Sequence, residues 1–204
     1  MHTLPVIFET NDFIVINKPP GLAVQGGAYV HNSVDLILSS LYSPRPLLVH
    51  RLDKDTSGVL VVAKHKKAAQ TFAALHTTIQ KYYRAICAGN ISSPFLSIDN
   101  PLLVHGKIKE AHTNCQVLAS TDHYSLVSLR LGTGRMHQIR RHLAQINNPI
   151  LGDRQYGNFS LNRQLKIQKL LLYAQRIIIP ALDLDVMVEA PSFFAYHTHT
   201  IFLM

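Results

Sequence analysis

The chain has 204 residues, 47% of them hydrophobic, enough to bury a core and to be read as a single domain over residues 1–204. Its formal net charge of +8 and pI near 9.6 point to a polyanionic partner, since Lys and Arg bind phosphates by releasing condensed counterions, although charge alone fits a basic protein without such a partner equally well. No apolar run reaches the roughly 20 residues that cross a bilayer. The opening Met1–Phe13 carries Glu9 and Asp12 and lacks a signal-peptide profile. The cysteines, Cys87 and Cys115, sit apart at no metal-ligand spacing, so free thiols and a cytoplasmic location are expected.

In chain order, Val6–Glu9 and Phe13–Asn17 are short β-branched runs around the turn-prone Asn11-Asp12, which predicts a hairpin. Lys18-Pro19-Pro20-Gly21 then ends regular structure. Val34, Ile37, Leu38 and Leu41 recur at helical spacing behind Ser33, a suitable N-cap, and this helix closes before Pro44. Gly58–Ala63 is apolar on both alternating faces, as in a strand covered on both sides. Ala68, Ala69, Phe72, Leu75, His76 and Ile79 predict a second helix, followed by a strand over Tyr82–Ala88 that ends at Gly89-Asn90. Ser92–Asn100 reads as loop or sheet edge because of its proline. Thr113–Ala119 and Tyr124–Leu131 predict an antiparallel pair. Gly132-Thr133-Gly134 leads into a helix over Arg135–Ile146, and the polar stretch Asp153–Asn162 precedes a short helix and two last strands, Ala174–Ile179 and Leu184–Glu189. Strands outnumber helices and several are joined by hairpin-length turns. The expected class is therefore α+β, with a mixed, largely antiparallel central sheet flanked by helices and loops.

Three strings carry chemistry. The first, His50-Arg51-Leu52-Asp53-Lys54-Asp55-Thr56-Ser57-Gly58, is a charged loop set directly before the most apolar strand. A carboxylate between Arg51 and Lys54 tends to stay ionised, the state a nucleophile or general base needs. An Asp-rich turn ending in Ser-Gly also forms simply by bonding its own backbone. The second string runs from Gly132 to Leu143. At about 100° per residue, Met136, Ile139, Leu143 and Ile146 share a face, Arg140 lies roughly 80° from its centre and Arg141 is nearly opposite. Arg140 should thus border the core, where an unpaired guanidinium is costly and a carboxylate or phosphate partner is expected. Arg141 and Arg135 are better placed for backbone phosphates, or form a solvated charged face. The Gly-Thr-Gly turn lacks the rest of a P-loop, and His137 and His142 lack zincin order, so neither nucleotide nor metal is expected there. In the third string, Lys81-Tyr82-Tyr83-Arg84-Ala85, strand alternation sends Tyr82 and Tyr83 to opposite faces, one for the core and one able to stack on a base.

Together these strings resemble the RluA family of pseudouridine synthases. The resemblance runs through Phe13–Gly21, His50–Asp53 with Thr56-Ser57-Gly58, Lys81, Tyr83, Ala85, Thr133-Gly134-Arg135, His137–Arg140, Pro149–Asp153 and Tyr156-Gly157. It implies the pseudouridine synthase catalytic fold and an isomerase that converts uridine in RNA to pseudouridine, with no cofactor and no metal. It implies Asp53 as the catalytic aspartate, Arg140 as the basic residue paired with it, and Tyr83 as the aromatic residue on the target uracil. Arg51 would fill the gap left when the nucleotide swings out. Leu172 would be an apolar wall, and His50, Leu52, Arg135, His137, Gln138 and Arg141 would bind substrate. Tyr173 stands where many relatives carry histidine. Ala23–Gly27 resembles the RluC-like branch that acts on large-subunit ribosomal RNA more than the tRNA branch, here without the S4-like domain common in that branch. Ribosomal RNA is the expected partner, tRNA the alternative, and a monomer the expected assembly. Two rivals keep the basic surface: a non-catalytic RNA-binding or ribosome-assembly protein, and an aspartate-dependent RNA hydrolase.

Overall fold

The computed structural model describes residues 4–27 and 32–203, so the first three residues of the segment weighed as a leader lie outside it. In chain order the elements are β1 (Val6–Glu9), β2 (Phe13–Lys18), α1 (Val34–Leu41), β3 (Leu47–Leu48), β4 (Ser57–Ala63), α2 (Lys66–Ala74), β5 (Gln80–Ala88), β6 (Phe95–Ile98), β7 (Leu102–Val104), β8 (Lys107–Lys109), β9 (Thr113–Ser120), β10 (Tyr124–Leu131), α3 (Gln138–Gln145), α4 (Phe159–Gln164), β11 (Leu172–Ile179), β12 (Leu184–Met187) and α5 (Ser192–Phe202). The α+β class read from the sequence is the one observed. The chain divides into two compact units, one running to Lys81 and resuming over Ala174–Glu189, the other comprising Tyr82–Tyr173 and the residues from Ala190 on.

In the first unit the expected hairpin is present: β1 pairs antiparallel with β2, and β2 with β4 from Phe13↔Ala63 to Lys18↔Gly58. All seven residues of β4 are buried, as its two-sided apolar pattern requires. Burial of each Val or Leu there contributes roughly 1.5–3 kcal/mol. α1 starts where expected, with the Ser33 hydroxyl accepting from the Leu36 N–H. Helix α2 stops at Ala74, short of the expected Ile79. The β-branched run Thr77-Thr78-Ile79 disfavours helix, and Thr78 Oγ1 donates to the Leu75 carbonyl at 2.9 Å, closing a turn instead. Beyond Ala174, β11 lies beside β4 and pairs with β12. Gly58, at φ +110°, makes that approach possible: a Cβ there would sit 2.1 Å from the Ala174 carbonyl oxygen.

In the second unit β10 lies between β5 and β9, antiparallel to both, and β6 forms the edge on β9, within the stretch read as loop or edge. Helix α3 begins at Gln138, three residues later than expected, because His137 adopts a left-handed φ of 53° and interrupts the helix there. Met136, assigned to the buried stripe, precedes that break and is 51% exposed. The two-residue strand β3, the hairpin β7–β8 and helix α5 escaped the sequence reading. The hairpin β7–β8 is too short for a period, and α5 is built from aromatic and β-branched residues that favour strands. Packing overrides that preference in α5, where Phe194 is buried with its ring edge-on to Tyr173 at 4.8 Å.

We expect Gly58→Ala to lower the urea unfolding midpoint by the equivalent of about 3 kcal/mol, because a left-handed φ and an overpacked backbone contact each cost a non-glycine residue. An unchanged midpoint would show that β4 and β11 can separate without penalty.

Candidate active site

Asp53 sits half-buried in the loop entering β4, between exposed Arg51 and Lys54, with Leu52 turned into the core. The loop is pinned on both sides. Before it, the His50 ring stacks on Phe72, 5.6 Å between centroids, and its Nε2 accepts from the Val61 N–H at 3.0 Å, standing in for a backbone rung where β3 has ended. That bond leaves the proton on Nδ1, a buried atom with no hydrogen-bond partner among the described residues. Burial, reinforced by the charge of Lys81, holds the imidazole well below its ordinary pKa, so His50 is neutral. The ring thus serves the framework through Nε2, which the resemblance did not imply.

The second pin is a residue to which the sequence reading gave no role. Lys18 ends β2 on the same side as Ile14 and Ile16 and is fully buried. Its Nζ donates to the carbonyls of Pro19 at 2.9 Å, Leu22 at 2.8 Å and Lys54 at 2.9 Å. Three acceptors match the three protons of an ammonium, and the third of them belongs to the residue after Asp53. The Gly21 N–H donates to the same Lys54 carbonyl, and the Thr56 N–H to that of Asp53. Burial pulls Lys18 down to about 7, against the carboxylates of Asp55 and Asp53, which favour its charged form. A lysine closing a strand that is apolar from Phe13 to Ile16 was the available signal for this group.

The second unit holds the other cluster. Pro149–Leu151 docks along β5, with the Ala88 N–H on the Pro149 carbonyl and the Leu151 N–H on that of Ile86, each at 2.9 Å. Asp153 follows, its side chain fully buried, and grips Arg140 as a fork: Nε to Oδ2 at 2.7 Å and Nη2 to Oδ1 at 2.9 Å. Arg140 is 7% exposed, in keeping with its reading as a core-bordering residue that needs a carboxylate. Burial alone would raise the Asp153 carboxyl, but hydrogen bonds from Arg140 and from the Tyr156 and Gln155 amides, with the charge of Arg140, hold it below its usual range. The guanidinium lies 5.1 Å over the Tyr156 ring, whose hydroxyl is 3.1 Å from His137 Nδ1. Gly157 lets this turn close, since a Cβ there would lie 2.3 Å from the Asp153 carbonyl oxygen. His137 holds its left-handed backbone at a cost of roughly 1–3 kcal/mol, a feature that concentrates at functional sites.

The remaining residues singled out from the sequence divide by exposure. Gln138 is buried; its amide donates to the His112 carbonyl and Thr113 Oγ1 and accepts from Thr133 Oγ1 and the Arg135 N–H, which fixes the Gly132–Arg135 turn. Arg135 is exposed and donates to the Glu110 carbonyl, while Arg141 is half-exposed and donates to that of Leu103. Tyr83 is the more buried of the tyrosine pair, at 7%. Leu172 and Tyr173 are both buried.

The Lys18 shift has a definite sign. Between about 7 and the ordinary 10.5 the unfolded chain binds the proton that the folded chain has released, so this group favours folding increasingly as pH rises through that window and loses that contribution as pH falls toward 7. The stability of the protein relative to a Lys18→Met variant should therefore rise from pH 7 toward 10, by at most about 1.4 kcal/mol per pH unit. Urea titrations of both proteins across that range measure it, and parallel curves would show that Lys18 does not release its proton on folding.

Residues 12–145 match the RNA pseudouridylate synthase family. "Ribosomal large subunit pseudouridine synthase D" of Yersinia pestis is 37% identical over 76% of this chain and 53% of its own length. "Ribosomal large subunit pseudouridine synthase C" of Vibrio cholerae serotype O1 is 32% identical over 91% of this chain and 65% of its own length. The chain thus spans between half and two thirds of these relatives. Among solved structures, "Human RNA Pseudouridylate Synthase Domain Containing 4" superposes with a TM-score of 0.78 at 28% identity, over 96% of this chain and 92% of that one. The corresponding human "Domain Containing 1" protein gives 0.75 at 26%, over 93% and 84%. With a loop aspartate pinned by a buried lysine and an arginine forked by a buried carboxylate already in place, this match over most of the sequence settles the lineage: the chain belongs to the RNA pseudouridylate synthase family.

Proposed function

We propose that the protein isomerises uridine to pseudouridine in RNA, with large-subunit ribosomal RNA as its substrate class. The observation that carries this reading is the membership of the family, joined to an Asp53 loop whose backbone is held by the Lys18 ammonium. The names of the curated relatives support the choice of RNA. The reaction breaks the N1–C1′ glycosidic bond, turns the base and forms a C5–C1′ bond, so no atom is gained or lost. It needs a carboxylate at the reacting nucleotide, a surface that holds the freed uracil and a cation that keeps the carboxylate ionised. Asp53 is our candidate for the first, the Tyr83 ring and the Leu172 wall for the second, and Arg140 for the third. Reaching the bond requires extruding the nucleotide, at a cost of a few kcal/mol, which Arg51 offsets by taking its place in the stack. Among the described residues no helix is long and apolar enough to cross a membrane.

Asp53→Asn should reduce isomerisation at least about 1000-fold, the scale of losing an essential catalytic group, with RNA affinity kept within about threefold. Primer extension after carbodiimide treatment reads the product, and activity retained in this variant would return the chain to the RNA-binding reading, while shortened RNA would favour a hydrolase. Arg140→Ala should lower kcat far more than Arg141→Ala, and Asp153→Asn should lower it by at least about tenfold through misplacement of Arg140, with KM little changed. Equal losses at Arg140 and Arg141 would refute the distinction drawn from their burial.

A further inference from the structure

The segment that follows Asp153 carries charge of one sign. Arg154, Arg163, Lys166 and Lys169 are all exposed, and no aspartate or glutamate stands between Asp153 and Asp183. Like charges gathered in so short a stretch repel one another, so the segment needs anchors. Asn162, buried on the inner side of α4, supplies two: its Oδ1 accepts from the Gly152 N–H at 2.8 Å and its Nδ2 donates to the Asp153 carbonyl at 3.3 Å. Arg154 Nη2 donates to the Gln168 carbonyl at 3.1 Å, and the Ile167 N–H to that of Asn162 at 2.9 Å. The first three of these bonds end on Gly152, Asp153 and Arg154, and Asp153 is the carboxylate that forks Arg140. One turn of backbone therefore fixes the basic segment and Arg140 together.

What α4 shows to solvent follows from that anchoring. With Asn162 turned inward and Leu161 and Leu165 half-buried beside it, Phe159 and Arg163, one helical turn apart, share the open side. Phe159 is 58% exposed. A single exposed apolar residue is ordinary on a protein surface, but this one is an aromatic ring set one turn from a guanidinium in an acid-free basic stretch. Lys169 is partly committed, its Nζ lying 5.0 Å over the Phe193 ring, and Arg154 gives one N–H to Gln168. Arg163 and Lys166, the latter held at a left-handed φ of 54° where α4 ends, make no ion pair among the described residues. Uncommitted cations beside a flat apolar ring suit a polyanion that itself carries flat apolar faces. RNA with unpaired bases has both, phosphates for the cations and a base for the ring.

We propose that α4 and the turn after it form a docking surface for an unpaired segment of RNA flanking the target uridine, with Arg163 and Lys166 on phosphates and a base against Phe159. This rests on the reading of the chain as an RNA-modifying enzyme. Because the anchors of the surface end on the turn that forks Arg140, RNA held there is held at a set position relative to that arginine. The surface contributes to KM and to target choice and leaves the chemical step alone.

The test compares the whole chain with Arg163→Gln/Lys166→Gln and with Phe159→Ser, using unmodified large-subunit ribosomal RNA transcribed in vitro, in filter binding over a salt series and in isomerisation assays. Wild-type urea midpoints establish that the variants fold, and Arg163→Gln alone, on the open side of α4, serves in place of the double variant should that one unfold. The double variant should bind about tenfold more weakly at low salt, with the slope of log affinity against log salt shallower by about 1.5, the release expected from two phosphates; the single variant should show about half that change in slope. Arg163→Lys/Lys166→Arg should keep the wild-type slope. Phe159→Ser should bind about tenfold more weakly with its slope unchanged, and Phe159→Tyr, which keeps the ring, should bind like the wild type. In every variant kcat at saturating RNA should stay within about twofold. The proposal needs both losses: a loss at the cations alone or at the ring alone overturns the two-part contact, and normal RNA binding by both variants overturns the surface altogether, leaving an acidic protein as the polyanion it would suit. Wild-type protein that binds the RNA through these residues without isomerising it would uphold the surface and refute the isomerase reading; wild-type protein that does not bind RNA would refute both.

Discussion

A fully buried ammonium is the constraint on which the candidate site depends. Lys18 has no solvent to satisfy it, so the chain must bring three carbonyls to its three protons, and it does so by folding Pro19–Leu22 and the Lys54 turn around one atom. The loop that carries Asp53 is thereby placed by a buried Nζ whose hydrogen-bond partners are fixed backbone carbonyls. Neighbouring carboxylates at Asp53 and Asp55 lessen the cost of keeping that charge out of water. The loop is polar because it answers a buried cation, and it lies against the most apolar strand because that is where the cation ends.

The second unit solves the mirror problem. Here the buried ion is the carboxylate of Asp153, and the fork from Arg140 with two backbone amides satisfies it. A guanidinium bound along one edge cannot rotate, and the Tyr156 ring beneath it removes a further degree of freedom. Breaking either ion's partners would leave an uncompensated charge in the core, which is more damaging than losing a surface pair. Both clusters therefore hold candidate site residues by the same means, a buried ionisable group that tolerates one arrangement.

Much of this was legible in the residues. The pattern of Gly58–Ala63, the Ser33 cap and the β9–β10 pair each carry a local rule that the fold obeys. The helical wheel that set Arg140 at the core edge was right even though the helix begins later than expected, because the burial phase of Ile139 and Leu143 survives the shift. Three things were hidden. The left-handed His137 accompanies a contact with Tyr156, nineteen residues away, and no local pattern announces it. The carboxylate that forks Arg140, Asp153, lies thirteen residues on, behind two turns. The exposed apolar residues of β7–β8 break the rule on which strand recognition relies, that the apolar side of a strand faces inward.

Such departures bear on function. Where local preference and fold disagree, the disagreement has to be sustained by something other than folding. His137 keeps an unfavourable backbone and Lys18 an unfavourable burial, and each lies within a few bonds of a residue the chemistry would need. An isomerase of the kind proposed, which adds nothing to its substrate and removes nothing from it, depends on holding its catalytic carboxylate, charges and surfaces in place around a flipped nucleotide. The costs gathered at Lys18 and His137 are those expected of a protein that, under this reading, must hold such groups in one arrangement.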